Sequence, residues 1–182
     1  MLGGACGLFR KRKIYMPLSA SSQGNIAETS MEQVERVLED ADWSYERDSL
    51  NTVHCIVPTR WGDMGGLFSI RDPHQLLQFS LTLDVKPTPS RRTELSDLII
   101  LINEQMPLGH FDYWPGDDMI VFRHAISVAG RISPEETEIA SVIQAACDAS
   151  DKFIPSMNYV IWAGKTATES MEMANFETIG EA

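Results

Sequence analysis

The residues most able to do acid–base or metal chemistry are four histidines, His54, His74, His110 and His124. None stands at the i, i+4 spacing that sets two imidazoles on one helix face, nor in an HExxH word. His110 and Asp112 are two apart, so on a strand they share a face, and His124 lies across a predicted hairpin. A metal site or an acid/base pair on His110 and His124 is therefore the enzymatic reading the sequence offers. The competing reading makes His124 a hydrogen-bonded core histidine, on the strand face of Phe122 and Ile126.

Other chemical motifs have simpler explanations. Gly164-Lys165-Thr166 has the ending of a phosphate-binding loop, but Tyr159 stands where the loop needs its first glycine. It reads instead as a glycine bend between two helices, so no nucleotide or other cofactor is expected. His54 and Cys55 are strand neighbours pointing to opposite faces, so they cannot act as base and nucleophile. Ser133 is spoken for as a helix cap. No catalytic or metal-ligating residue emerges.

Three residues suit recognition. Arg123 shares a strand face with Val121 and Ala125, and Trp114 on the partner strand is expected near it, an arrangement for cation–π contact. Trp61 stands in a glycine-bearing loop with Gly62, Gly65 and Gly66. Trp61, Trp114 and Arg123 are the candidate partner-binding set. The alternative makes the tryptophans core edges and pairs Arg123 with an acid.

The elements that position these residues follow from periodicity. Ser30 and Gln33 form a capping-box pattern, and Met31, Val34, Val37, Leu38 and Ala41 follow at helical spacing to about Asp42. Strands are predicted around Val53–Val57, Gly65–Arg71 and Leu77–Val85. In the last of these Leu77, Phe79, Leu81, Leu83 and Val85 alternate with polar residues, the habit of an antiparallel sheet with one wet face. Pro87 and Pro89 end it. Leu95, Leu98, Ile99, Ile102 and Met106 stripe a second helix, with Ile100 and Leu101 widening it toward burial on most sides. Phe111–Trp114 and Met119–Val128 form a hairpin about Pro115-Gly116-Asp117-Asp118. Ser133-Pro134-Glu135-Glu136 opens a helix that Pro155 interrupts. Met157–Trp162 continues as helix, and Thr166–Phe176 is a short last one. The order is α-β-β-β-α-β-β-α(α).

Composition limits the function classes. The apolar fraction is 43% over 182 residues, enough for one globular domain. No apolar run reaches the ~18 residues of a membrane helix, and Met1–Phe9 is too short for a signal peptide. Leu2-Gly3-Gly4-Ala5-Cys6 resembles a lipoprotein box without its apolar stretch. Cys6, Cys55 and Cys147 are odd in number and lack CxxC spacing, which speaks against disulfides and fits a reducing, cytoplasmic setting. The net charge of −11 divides unevenly: residues 1–30 carry four basic residues and Glu28 for +3, residues 31–182 carry 11 basic and 25 acidic for −14. An acidic domain repels phosphate, so no nucleic-acid partner is expected, and no membrane. The run Arg10–Lys13 reads as a solvated tail. Residues 1–29 are expected to form a disordered arm, with Met16 and Met31 as alternative starts to Met1, and residues 30–182 the domain.

Several words match a known family: Leu101-Ile102-Asn103-Glu104-Gln105, Gly109-His110-Phe111-Asp112, Val121-Phe122-Arg123-His124-Ala125, Trp162-Ala163-Gly164-Lys165 and the ending Phe176–Ala182. On these words, over about residues 31–182, the chain resembles the YbjN-domain proteins of bacteria, often labelled sensory-transduction regulators. The resemblance implies an α+β fold like that of type III secretion chaperones, a twisted antiparallel sheet flanked by helices. It implies no catalytic residues. The expected function is a non-enzymatic module, chaperone-like or regulatory, that binds a polypeptide and possesses the option of a homodimer. The alternatives are an enzyme using the hairpin histidines and a purely structural dimerisation module.

Overall fold

The computed structural model describes residues 20–180, with side chains placed for residues 26–173. Four helices and six strands follow the chain as α1 (Ala20–Asp40), β1 (Tyr45–Ser49), β2 (Thr52–Thr59), β3 (Gly62–Arg71), β4 (Leu76–Leu83), α2 (Arg92–Asn103), β5 (His110–Trp114), β6 (Met119–Ser127), α3 (Glu136–Ile161) and α4 (Ala167–Gly180). The strands make one antiparallel sheet in the order β1-β2-β3-β4-β6-β5. The expected fold class, an antiparallel sheet flanked by helices, is the one found. No helix among the described residues is long and apolar enough to cross a membrane.

Among the described residues, the helices cover one side of the sheet. α1 packs over β2 and β3, α3 over β2, β4 and β6, and α2 and α4 pack against α3 and each other. Strand alternation explains this. Val53, Cys55 and Val57 of β2, Phe68 of β3, Phe79 and Leu81 of β4 and Phe122 of β6 are buried toward the helices. The other face shows His54, Ile56, Gln78, Thr82, Asp112 and Arg123, all exposed or half-buried. Two aromatic pairs tie the core across strands: Phe68–Phe79 at 4.5 Å between ring centroids and Phe111–Phe122 edge-on at 5.8 Å.

Five local expectations are corrected. α1 starts at Ala20, not Ser30, so residues 20–29 of the expected arm are helical and the rest of it lies outside the described residues. Ala27 extends the buried stripe of Met31, Val34 and Leu38 by one turn, and Ser30 sits fully buried inside the helix. β1, with the sequence Tyr-Glu-Arg-Asp-Ser, was not expected at all, because an exposed edge strand needs no apolar alternation. It is held by Tyr45 Oη donating to Glu39 and by an Arg47–Glu35 ion pair at 3.3 Å. Ile100 is exposed, so α2 buries one stripe and not most of its sides. α3 is capped by Glu135, whose box closes with Glu138, two residues later than the cap expected at Ser133. Finally, α3 runs unbroken through Pro155.

The last correction has a direct cause. Proline removes the N–H that would reach the carbonyl four residues back, here Asp151. That carbonyl instead accepts the indole N–H of Trp61 at 3.1 Å, and the Asp151 carboxylate accepts the Arg60 backbone N–H at 3.0 Å. The β2–β3 turn thereby satisfies the group that the proline leaves open.

Candidate functional site

The hairpin residues separate. His110, Asp112 and Arg123 share the open sheet face: Asp112 Oδ2 lies 3.2 Å from Arg123 Nε and 3.6 Å from His110 Nε2. His124 pairs in register with Phe79 on the helix-covered face, so it does not join them. Desolvation, reinforced by nearby His110, holds its imidazole below the ordinary histidine range. Among the described residues, no group of three His, Cys, Asp or Glu side chains is placed to hold a metal ion.

Nor do the two cysteines among the described residues offer a nucleophile. Burial pushes Cys55 up to about 12, with a smaller contribution from Cys147. Cys147 rises to about 11 through burial first and then Asp151 and Asp148. Both stay protonated at neutral pH, which disables thiolate chemistry. Gly164 turns the chain from α3 to α4 at φ +69°, where a Cβ would stand 2.7 Å from Arg91 Nη2. Thr166 and Glu169 then cap α4 reciprocally, a Thr-x-x-Glu signal that the phosphate-loop comparison obscured.

The words of the family resemblance are explained by packing. Asn103 of α2 accepts the Phe111 N–H at 2.8 Å and donates to the Phe111 carbonyl at 2.9 Å. It joins the Leu101–Gln105 word to the Gly109–Asp112 word and occupies hydrogen-bonding positions on the edge strand β5. Gly109 has φ +71°, and a Cβ there would meet the Phe122 ring at 2.2 Å, which ties it to the Val121–Ala125 word.

The recognition candidates are also split. Trp114 pairs in register with Met119, while Arg123 pairs with His110 and engages Asp112, so the expected Arg123–Trp114 stack is absent. Those two belong to the open sheet face. Trp61 belongs to the helix side, fastened to Asp151 and still 46% exposed.

Around Trp61 the helix side carries a stripe of mixed polar and apolar residues. Ala140, Gln144, Cys147, Asp151, Pro155, Asn158 and Trp162 recur at helical spacing along one side of α3, exposed at Ala140, Gln144 and Trp162 and half-buried between. At one end, α3 and α1 flank a groove of about 410 Å³, floored by Val37, Ala41, Trp43, Ala140, Ile143 and Cys147. Asp40 and Glu136 stand on its rim. Trp61 joins at the middle. At the other end Trp162 is 74% exposed, the highest value among the exposed large apolar side chains. Trp61 and Trp162 are thus exposed beside α3, while Trp43 lines the groove half-buried against the core. Sequence reading missed both Trp43 and Trp162 as site residues: an interruption read at Pro155 hides the stripe that ends at Trp162, and Trp43, between α1 and β1, meets α3 only through packing.

The fold of the described residues is of the α+β class, built on an antiparallel sheet covered by helices. Within that class the chain belongs to the YbjN family, described as "Putative bacterial sensory transduction regulator", whose family model matches residues 30–158. That description is of a regulator and names no enzymatic activity. Among solved structures, the chain is similar to one described as "Crystal structure of YbjN, a putative transcription regulator from E. coli", with 16% identity and a TM-score of 0.46. The match covers 65% of this chain and 84% of that one. No curated protein matches.

Proposed function

We propose that this protein is a non-enzymatic regulatory module that binds a polypeptide on the exposed face of α3. The observation that carries this reading is the exposure of Trp61 and Trp162 beside α3, with a groove lined by the half-buried Trp43 at the helix's other end. Tryptophans dominate binding energy at protein interfaces, because each buries a large rigid area at low entropic cost. The hairpin residues support chemistry less well, since His124 faces away from His110 and Asp112. Arg123 and Trp114 remain on a separate, more polar surface.

The test is affinity capture from a bacterial lysate with the full chain, beside Trp162→Ala and a Trp114→Ala control on the other face. The expected result is a polypeptide retained by the wild type and by Trp114→Ala and lost with Trp162→Ala, all three melting alike. Undiminished capture by Trp162→Ala overturns the reading.

A further inference from the structure

A second cleft flanks α3 on the side away from the α1 groove. It holds about 530 Å³ between α3, β6, the loop that joins them and the turn before β5, within the size range of small-molecule sites. Leu108, Ile126 and Val142 give it an apolar floor.

Charged and hydrogen-bonding groups reach this cleft from separate elements. β6 supplies His124, the β6–α3 loop supplies Arg131, and the start of α3 supplies Thr137 and Glu138. Arg131 Nη1 and Glu138 Oε2 pair at 2.7 Å, yet both side chains remain 38% exposed. Arg131 Nη2 also donates to the Ser127 carbonyl, and Glu138 Oε2 also accepts the Glu135 N–H at 2.8 Å. A guanidinium carries five N–H groups and a carboxylate two oxygens, so the pair keeps both donors and an acceptor to offer. The Arg131 bond first, and then the Glu135 N–H, hold the Glu138 carboxyl below the usual carboxylate range, so the pair is ionised at neutral pH. The His124 ring makes no hydrogen bond among the described residues. Desolvation keeps it neutral at pH 7, with one donor and one acceptor nitrogen.

This donor set selects ligands by charge. A lone carboxylate drawn to Arg131 stands beside the like charge of Glu138, and a lone ammonium at Glu138 stands beside Arg131. The net charge of −14 over residues 31–182 also opposes an anion. A zwitterion with adjacent ammonium and carboxylate lies head to tail on the Arg131–Glu138 pair and adds charge-assisted hydrogen bonds to both members.

We propose that this cleft binds a small α-amino acid with an apolar side chain. The α-carboxylate takes Arg131 and the Thr137 hydroxyl, the α-ammonium takes Glu138 and the His124 ring, and the side chain covers Leu108, Ile126 and Val142. The site goes beyond the polypeptide reading of the α3 face and stands independently of it. Glu138, Ser141 and Val142 lie on the opposite side of the helix from Ala140, Ile143 and Cys147 of the α1 groove.

Calorimetry of the full chain with L-leucine, L-isoleucine and L-phenylalanine tests the site. At least one is expected to bind saturably with a dissociation constant of about 1 mM or below, in keeping with ligands of this size. Glycine lacks the side chain, and isovalerate and isoamylamine each keep one charge; all are expected to bind at least about tenfold more weakly. Arg131→Gln and His124→Gln are each expected to weaken binding roughly tenfold or more. Ser141→Phe fills the cleft without touching the ion pair and is expected to abolish binding. Thr82→Ala, on the open sheet face, is expected to bind as the wild type does. Melting temperatures without ligand establish that each variant is folded. Saturating ligand is expected to raise the melting temperature of the wild type and not that of Ser141→Phe. No saturable binding of any of the three amino acids overturns the proposal. Equal binding of isovalerate or isoamylamine, or full affinity in a folded Arg131→Gln or Ser141→Phe, overturns it as well.

Discussion

The indole N–H of Trp61 donates to the backbone carbonyl of Asp151 at 3.1 Å, the carbonyl that Pro155 leaves without its helical partner. One side chain from a strand turn thus completes the hydrogen bonding of a helix distant in sequence. Trp61→Phe removes the donor and is expected to cost about 0.5–1.5 kcal/mol, the net value of a neutral hydrogen bond. In a Pro155→Ala background the restored helix N–H takes the carbonyl, so the same change is expected to cost much less. Urea denaturation of the four members of this cycle measures the difference. Equal costs in both backgrounds would show that Trp61 and Pro155 act independently.

Asn103 carries a second cross-element bond, through both the N–H and the C=O of Phe111. Asn103→Ala leaves both groups without the side-chain partner and is expected to destabilise by about 1–3 kcal/mol. Asn103→Asp keeps the acceptor and loses the donor, so it should fall between the wild type and the alanine variant. Chemical denaturation ranks the three. An alanine variant as stable as the wild type would refute the role.

The two faces of β4 should respond differently. Phe79 is 2% exposed and packs on Phe68, so Phe79→Ala is expected to cost ~3–5 kcal/mol through lost burial and a cavity. Thr82 lies half-buried on the open face, and Thr82→Ala should cost under ~1 kcal/mol. Denaturation midpoints decide, and equal costs would contradict the one-sided core.

His124 gives a pH dependence. Desolvation and His110 hold its folded-state pKa below the ordinary 6.5, so the unfolded chain binds the proton first as pH falls. Its contribution to stability is present above about pH 6.5 and is lost as pH drops through the lower folded-state value. The melting temperature of the wild type should therefore fall more steeply between about pH 7 and pH 5 than that of His124→Gln. Parallel curves would disprove the coupling.

The sequence by itself determined what depends on local periodicity. The alternation Leu77, Phe79, Leu81 and Leu83 required a strand with one buried face, and Leu95, Leu98, Ile99 and Ile102 required a helix stripe. Both are short-range consequences of backbone geometry, which any packing partner must respect. It also bounded the chemistry, since strand neighbours His54 and Cys55 face apart wherever the strand is placed. Only the tertiary structure decided where long-range partners meet. Pro155 read as a stop because its missing donor is local, while the compensation comes from Trp61, 90 residues away. β1 was illegible because its edge position demands no apolar pattern, only side chains that can reach Glu39 and Glu35. The sequence placed Arg123 near Trp114, but the hairpin register set Arg123 against His110 and Asp112. The α3 face needed both kinds of information. Its spacing is written along residues 140–162, but the groove beside α1 and the arrival of Trp61 at its centre arise only when separate elements pack on the same side of the sheet.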